Sequence, residues 1–96
     1  MTDPMAALRA RFVERCRADL ARLRSGCDDD ELVVTIHRLA GSAGSFGFGA
    51  ISVAAARLDE MIRLGDAPGP EDLAVLISEL EAGLPPAPES EAPAPG

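Results

Sequence analysis

The chain has no lysine, no tryptophan and no tyrosine, and only one histidine and two cysteines in 96 residues. Each shortage excludes something. With aromatics at 3% and a hydrophobic fraction of 47%, the core must be built from Leu, Ile, Val, Ala and Met. Alanine, leucine and arginine favour helix, and the β-branched runs are short, so an all-α domain is expected. One histidine and two distant cysteines do not supply the four ligands of a zinc site, so no metal site is expected in this chain. If helix holds between Cys16 and Cys27, they lie about 16 Å apart, too far for a disulfide. Reduced thiols in a cytoplasmic protein are therefore expected, with Cys16 in the core. Asp3 and Pro4 interrupt any apolar run at the N-terminus, so no secretory signal is read there. No apolar stretch approaches transmembrane length, and no membrane partner is expected.

Charge is as uneven as composition. The net charge is −7 and there is no basic stripe with aromatic reading groups, which argues against a nucleic-acid partner. Yet six of the arginines, Arg9, Arg11, Arg15, Arg17, Arg22 and Arg24, fall in the first 24 residues. Two readings stand: a solvated helix face balanced by Glu14 and Asp19, or a docking rim for an acidic partner.

Four helices can be read in order. Thr2 or Asp3 followed by Pro4 is a helix start. Met5, Leu8, Phe12, Cys16, Leu20 and Leu23, with Val13, mark one face to about Arg24, and Ser25-Gly26 ends it. Asp28, Asp29, Asp30 and Glu31 suit the N-terminus of a second helix, as cap and dipole partners. The glycine spacing of a calcium loop is absent. Val33, Ile36, Ala40 and Ala43, widened by Leu32, Leu39 and Phe46, carry that helix to about Gly47. A third runs from Phe48 through Ile51, Ala55, Leu58 and Ile62 to about Leu64, with Arg57, Asp59, Glu60 and Arg63 facing water. Pro70 opens a fourth, with Leu73, Leu76, Ile77, Leu80 and Leu84 as its stripe, stopped by Gly83 and Pro85-Pro86. Four such stripes bury each other in an antiparallel up-down four-helix bundle over residues 1–84. Residues 85–96 have no core-forming side chain and read as a Pro/Ala/Glu-rich flexible tail.

His37 sits about 100° round the second helix from Ile36, at the edge of the apolar face. Gly41 lies one turn on, with Gly44 and Ser45 beyond. Each glycine inside a helix costs roughly 1 kcal/mol against alanine. Beside a lone histidine, that cost is consistent with a surface kept bare for another molecule to approach the ring. A neutral imidazole is a competent nucleophile near neutral pH. Phosphoryl transfer needs positioning more than covalent machinery, so a partner could supply the metal and the charge stabilisation.

His37-Arg38-Leu39-Ala40-Gly41-Ser42 through Gly47, followed by Ile51, Leu58 and Asp59, resembles the histidine-containing phosphotransfer (HPt) domain of bacterial phosphorelays. The family pattern is roughly H-x-L-K-G-S, a glycine ten residues past the histidine, then an apolar helix ending in L-E. The resemblance implies a four-helix bundle with His37 as phospho-acceptor, Gly41 making room beside the ring and Ser42 supporting the helix packing. Ala40 stands where the family has a lysine that helps bind the phosphoryl group. Arg38 and Arg57 are the candidates to replace it, since a guanidinium suits phosphate oxygens. The face offered to a partner should include Val34, His37, Arg38, Gly41, Gly44 and Ser45.

The function implied is a phosphocarrier that shuttles a phosphoryl group between receiver-domain aspartates through a phosphohistidine, with no autonomous active site and no ATP-binding region. Its partners would be response-regulator receiver domains or a hybrid histidine kinase. It would need no cofactor of its own, Mg2+ belonging to the receiver, and would act as a monomer. Two other readings follow from the residues. One is a catalytically silent module that docks on a receiver or kinase and regulates it. The other is a helical scaffold with an idle histidine.

Overall fold

Asp3 opens the first helix as a cap: its carboxylate accepts the N–H of Met5 at 3.0 Å, and Pro4 occupies the first helical position. In the computed structural model, which describes residues 3–85, this helix, α1, spans Pro4–Ser25. Helix α2 spans Asp29–Ser42, α3 Gly49–Arg63 and α4 Pro70–Gly83. No strand occurs among the described residues. The all-α expectation therefore holds. Thr2 and the tail 86–96 lie outside the described residues.

The helix ends follow local chemistry. The Asp28 carboxylate accepts the N–H of Glu31 at 2.8 Å, satisfying one of the donors a helix start leaves open. Asp29, Asp30 and Glu31 fill the first turn, where negative charge suits the dipole. At α4, the Asp72 carboxylate reaches back to the N–H of Gly69 at 2.9 Å.

Helix α2 is shorter than the spacing suggested. It gives way at Ser42 to a 3₁₀ turn, Ala43–Phe46, rather than running to Gly47. Gly41 and Gly44 weaken α-helix here, and the chain tightens into i→i+3 geometry before reversing. Gly47 then adopts φ 88°, the left-handed conformation glycine takes most easily. The N–H of Phe48 closes the reversal onto the carbonyl of Ala43 at 2.9 Å.

The core is aliphatic in the middle and aromatic at one end. Ile36, Leu39, Ile51, Leu76 and Leu80 are fully buried, with Cys16 and Ala55 between them. All three phenylalanines gather where α2 turns into α3. Phe12 of α1 stacks on Phe46 at 4.7 Å and on Phe48 at 5.8 Å between ring centroids. Arg9 covers this cluster, its guanidinium 4.7 Å above the Phe48 ring and its Nε–H donating to the Phe46 carbonyl at 3.1 Å. The N-terminal half of α1 thus clamps the turn that follows α2. Met5 and Leu8, expected on the buried face, are 53% and 49% exposed, and burial on α1 begins only at Phe12.

Asp19 departs most from its expected place. It was expected on a solvated face, but it is completely buried and accepts from two arginines. Arg38 Nη2 reaches both its oxygens at 2.9 Å, and Arg22 Nη2 reaches one at 2.7 Å. This triad ties α1 to α2 at the level of His37. A buried carboxylate is tolerated because two cations meet it. Nearby, burial pushes the Cys16 thiol up to about 11; the Asp19 charge adds to the rise and Arg38 opposes it. Cys16 is therefore an inert core side chain.

The described chain ends against α1. Arg24 pairs with Glu81, and Arg17 Nη2 donates to the carbonyl of Pro85 at 2.7 Å.

Candidate functional site

Helix α2 turns Ile36, Leu39 and Thr35 inward. Val34, His37 and Gly41 fall on the opposite side by the same periodicity, and all three are exposed. The His37 side chain is 79% exposed, on a helix fixed from below by the core. The geometry required of an approachable ring is present: Val34 precedes it by one turn, and Gly41 follows it by one turn with no side chain.

The space beside the ring is not a by-product of packing. A Cβ at Gly41 would meet nothing within 4 Å, and Gly41 is not among the glycines with positive φ. Neither sterics nor backbone conformation requires glycine there. Substituting leucine at Gly41 is therefore expected to raise stability by up to about 1 kcal/mol through helix propensity. The same change walls off one side of the ring. Gly44 and Ser45 extend the open surface from the 3₁₀ turn, both exposed. Ser42 is half-buried at the last residue of α2, consistent with a packing role.

The partner of the ring comes from α3. His37 Nδ1 lies 3.3 Å from Asp59 Oδ1, and the Asp59 side chain is only 20% exposed. Asp59 had been placed facing water. Instead it leans across to α2, because the contacts between these helices run in opposite order: Ser52 Oγ donates to the Ala40 carbonyl at 3.0 Å, and seven residues later Asp59 meets His37, three residues earlier. With Nδ1–H directed at a carboxylate, Nε2 is the nitrogen left with a lone pair toward solvent.

The two arginines expected beside His37 are elsewhere. Arg38 is adjacent in sequence but turns 100° round the helix, where Asp19 holds it. Arg57 stands two residues from Asp59 and therefore on the far side of α3, lining a hollow with Val53, Val75 and Glu79 against α4. Neither guanidinium is directed at His37. Helical phase decides both cases, and the sequence held that information at Arg57. The engagement of Arg38 depended on the burial of Asp19, a charged residue that periodicity alone assigns to the surface.

Two hollows flank the exposed stripe. Toward α3, Leu32 and Val33 meet Ile62, Ala67 and Pro68, giving an apolar recess with Asp29 and Asp66 at its edge. Toward α1, Arg15, Arg22 and Arg38 line a charged one. Among the described residues, no three His, Cys, Asp or Glu side chains are grouped to hold a metal ion. No helix among them is long and apolar enough to cross a membrane.

Comparison with known families gives a match to the Hpt domain over residues 7–84. This chain belongs to the Hpt domain family. No curated protein and no solved structure matches it. The match spans all four helices, so the helical bundle and the family agree. As an Hpt domain, the chain is a phosphotransfer-type module of two-component signalling, a family whose members interact with receiver domains and kinases in phosphorelays.

Proposed function

We propose that this Hpt domain is a phosphocarrier in which His37 takes a phosphoryl group from the aspartyl phosphate of one receiver domain and gives it to the aspartate of another. The observation that carries the reading is the pairing of an open ring with a held one. Nε2 faces solvent beside Gly41, while Nδ1 is anchored to Asp59.

The step would proceed as follows. The Nε2 lone pair attacks phosphorus, the bond from phosphorus to the aspartyl oxygen breaks, and the carboxylate of the donor leaves with the electron pair. The proton on Nδ1 stays between the ring and Asp59, so no proton needs to be lost from the ring for the lone pair to be available. Return transfer breaks the P–N bond with a second carboxylate as nucleophile. Metal and charge stabilisation come from the receiver, where Mg2+ is expected. This chain contributes position: a ring on a helix anchored through the core, which saves the entropy of bringing the reactants together.

Transfer of label from a phosphorylated receiver onto this chain, as an acid-labile phosphoryl group, tests the proposal directly. Absence of label with every receiver offered would sink it. The silent docking module is the second reading, and Ala40 is the observation that favours it: there is no lysine there, and Arg38 and Arg57 are both turned away from the ring. It predicts receiver binding without label on His37.

Two substitutions probe the mechanism. Gly41→Leu is expected to cut transfer by about a hundredfold, since small displacements of the reacting atoms have effects of that order. Its melting temperature should hold or rise, and unchanged transfer would show that the open surface has no role. Asp59→Ala is expected to slow transfer about tenfold, the equivalent of losing one charge-assisted hydrogen bond. Asp59→Asn, which keeps an oxygen to accept Nδ1–H, should recover most of the transfer. No recovery in Asp59→Asn would mean that Asp59 acts on packing rather than on the ring.

A further inference from the structure

The cleft on the α1 side of the exposed stripe is lined by Arg15, Arg22 and Arg38 together with Asp30 and Glu31. Val34 borders it and also stands one turn from His37, so a molecule covering the ring reaches this cleft. Arg22 and Arg38 share the single carboxylate of Asp19. Nε and Nη1 of Arg38 are buried and find no acceptor among the described residues. Buried donors without a partner are rare in native proteins and call for a ligand or solvent to complete them. Arg15, exposed on the rim, makes no hydrogen bond or ion pair among the described residues.

We infer that this cleft receives one carboxylate side chain from the docking receiver domain, and that Arg15 is the residue that reads it. The inference rests on the phosphocarrier reading. A carboxylate fits better than the phosphoryl group itself, because His37 leans the other way, toward Asp59 on α3. Asp30 and Glu31 also line the cleft, so a second acid on the partner would meet like charge while the first meets Arg15. Arg15 makes the first contact. Being untethered, it can follow the carboxylate as that group settles at the mouth of the cleft above Arg38. The cleft thereby sorts receivers by a single charge placed beside the acceptor aspartate, and adds electrostatic steering to their approach.

The experiment compares wild type with Arg15→Glu and Arg15→Lys, using a phosphorylated receiver that labels the wild-type chain, at low and high salt. Phosphoramidate, which phosphorylates histidine without docking, serves as the chemical donor. Arg15→Glu is expected to lower kcat/KM for the receiver about tenfold, mainly through KM and more strongly at low salt. Labelling by phosphoramidate should be unchanged. Arg15→Lys should retain most of the transfer, and reversing one acidic residue on the receiver should restore Arg15→Glu. Transfer by Arg15→Glu within twofold of wild type at low salt overturns the cleft while leaving the carrier intact. A wild-type chain that neither phosphoramidate nor any receiver labels overturns both, and the two failures are thereby distinct.

Discussion

Replacing His37 by glutamine is expected to abolish phosphoryl labelling completely while leaving helicity and melting temperature unchanged. Both halves follow from where the ring sits. It is the only imidazole in the chain. Its side chain is 79% exposed and takes no part in the core. Surface substitutions of that kind usually stay within about 0.5 kcal/mol. Glutamine keeps a polar, helix-compatible side chain but offers no nitrogen lone pair able to take a phosphoryl group. The measurement is label transfer from a phosphorylated receiver, read beside a thermal melt by circular dichroism. Residual labelling above background would move the acceptor away from His37. Lost labelling with a collapsed melt would instead make His37 a structural residue, which its exposure argues against.

The second large effect is expected at Asp19. Asp19→Ala should destabilise the domain by about 3–5 kcal/mol, the usual cost of breaking a buried ion pair by removing one partner. In a domain of this size, each kcal/mol moves the melting temperature by about 4–8 °C, so a drop of at least about 12 °C is expected. The loss arises because Arg38, whose side chain is 24% exposed, is left with a buried charge and no acceptor, while Arg22 returns to water. Pairing Asp19→Ala with Arg38→Met should recover part of the loss, since an apolar replacement of both partners removes the orphaned charge. A melting temperature within a few degrees of wild type would show that the triad contributes nothing. Measured transfer in the surviving folded fraction separates this from any effect on His37.

These two residues mark how far the sequence could be read. His37 was legible because it is unique and is followed at fixed spacing by Gly41 and Gly47. The helices were legible because apolar residues recur at 3–4 residue intervals and three of the four starts carry an Asp or Pro. The early end of α2 was not, since two glycines lower helix stability without saying whether the chain will break or merely tighten. Asp19 was hidden for a different reason. A charged residue is assigned to the surface by default, and only the three-dimensional arrival of Arg38 from another helix makes its burial tolerable. Asp59 had been noted for its acidity, but its contact with the ring depended on how α3 is rotated against α2. Position within a helix is written locally; pairing between helices is not.

The way Arg38 is turned also bears on time. With that guanidinium held by Asp19, Arg57 on the far side of α3 and Ala40 beside the ring, a phosphoryl group on Nε2 would project toward solvent, away from both of these arginines. How long a signal persists in such a carrier would be decided by solvent and by the next protein to arrive, rather than by any clock built into the bundle.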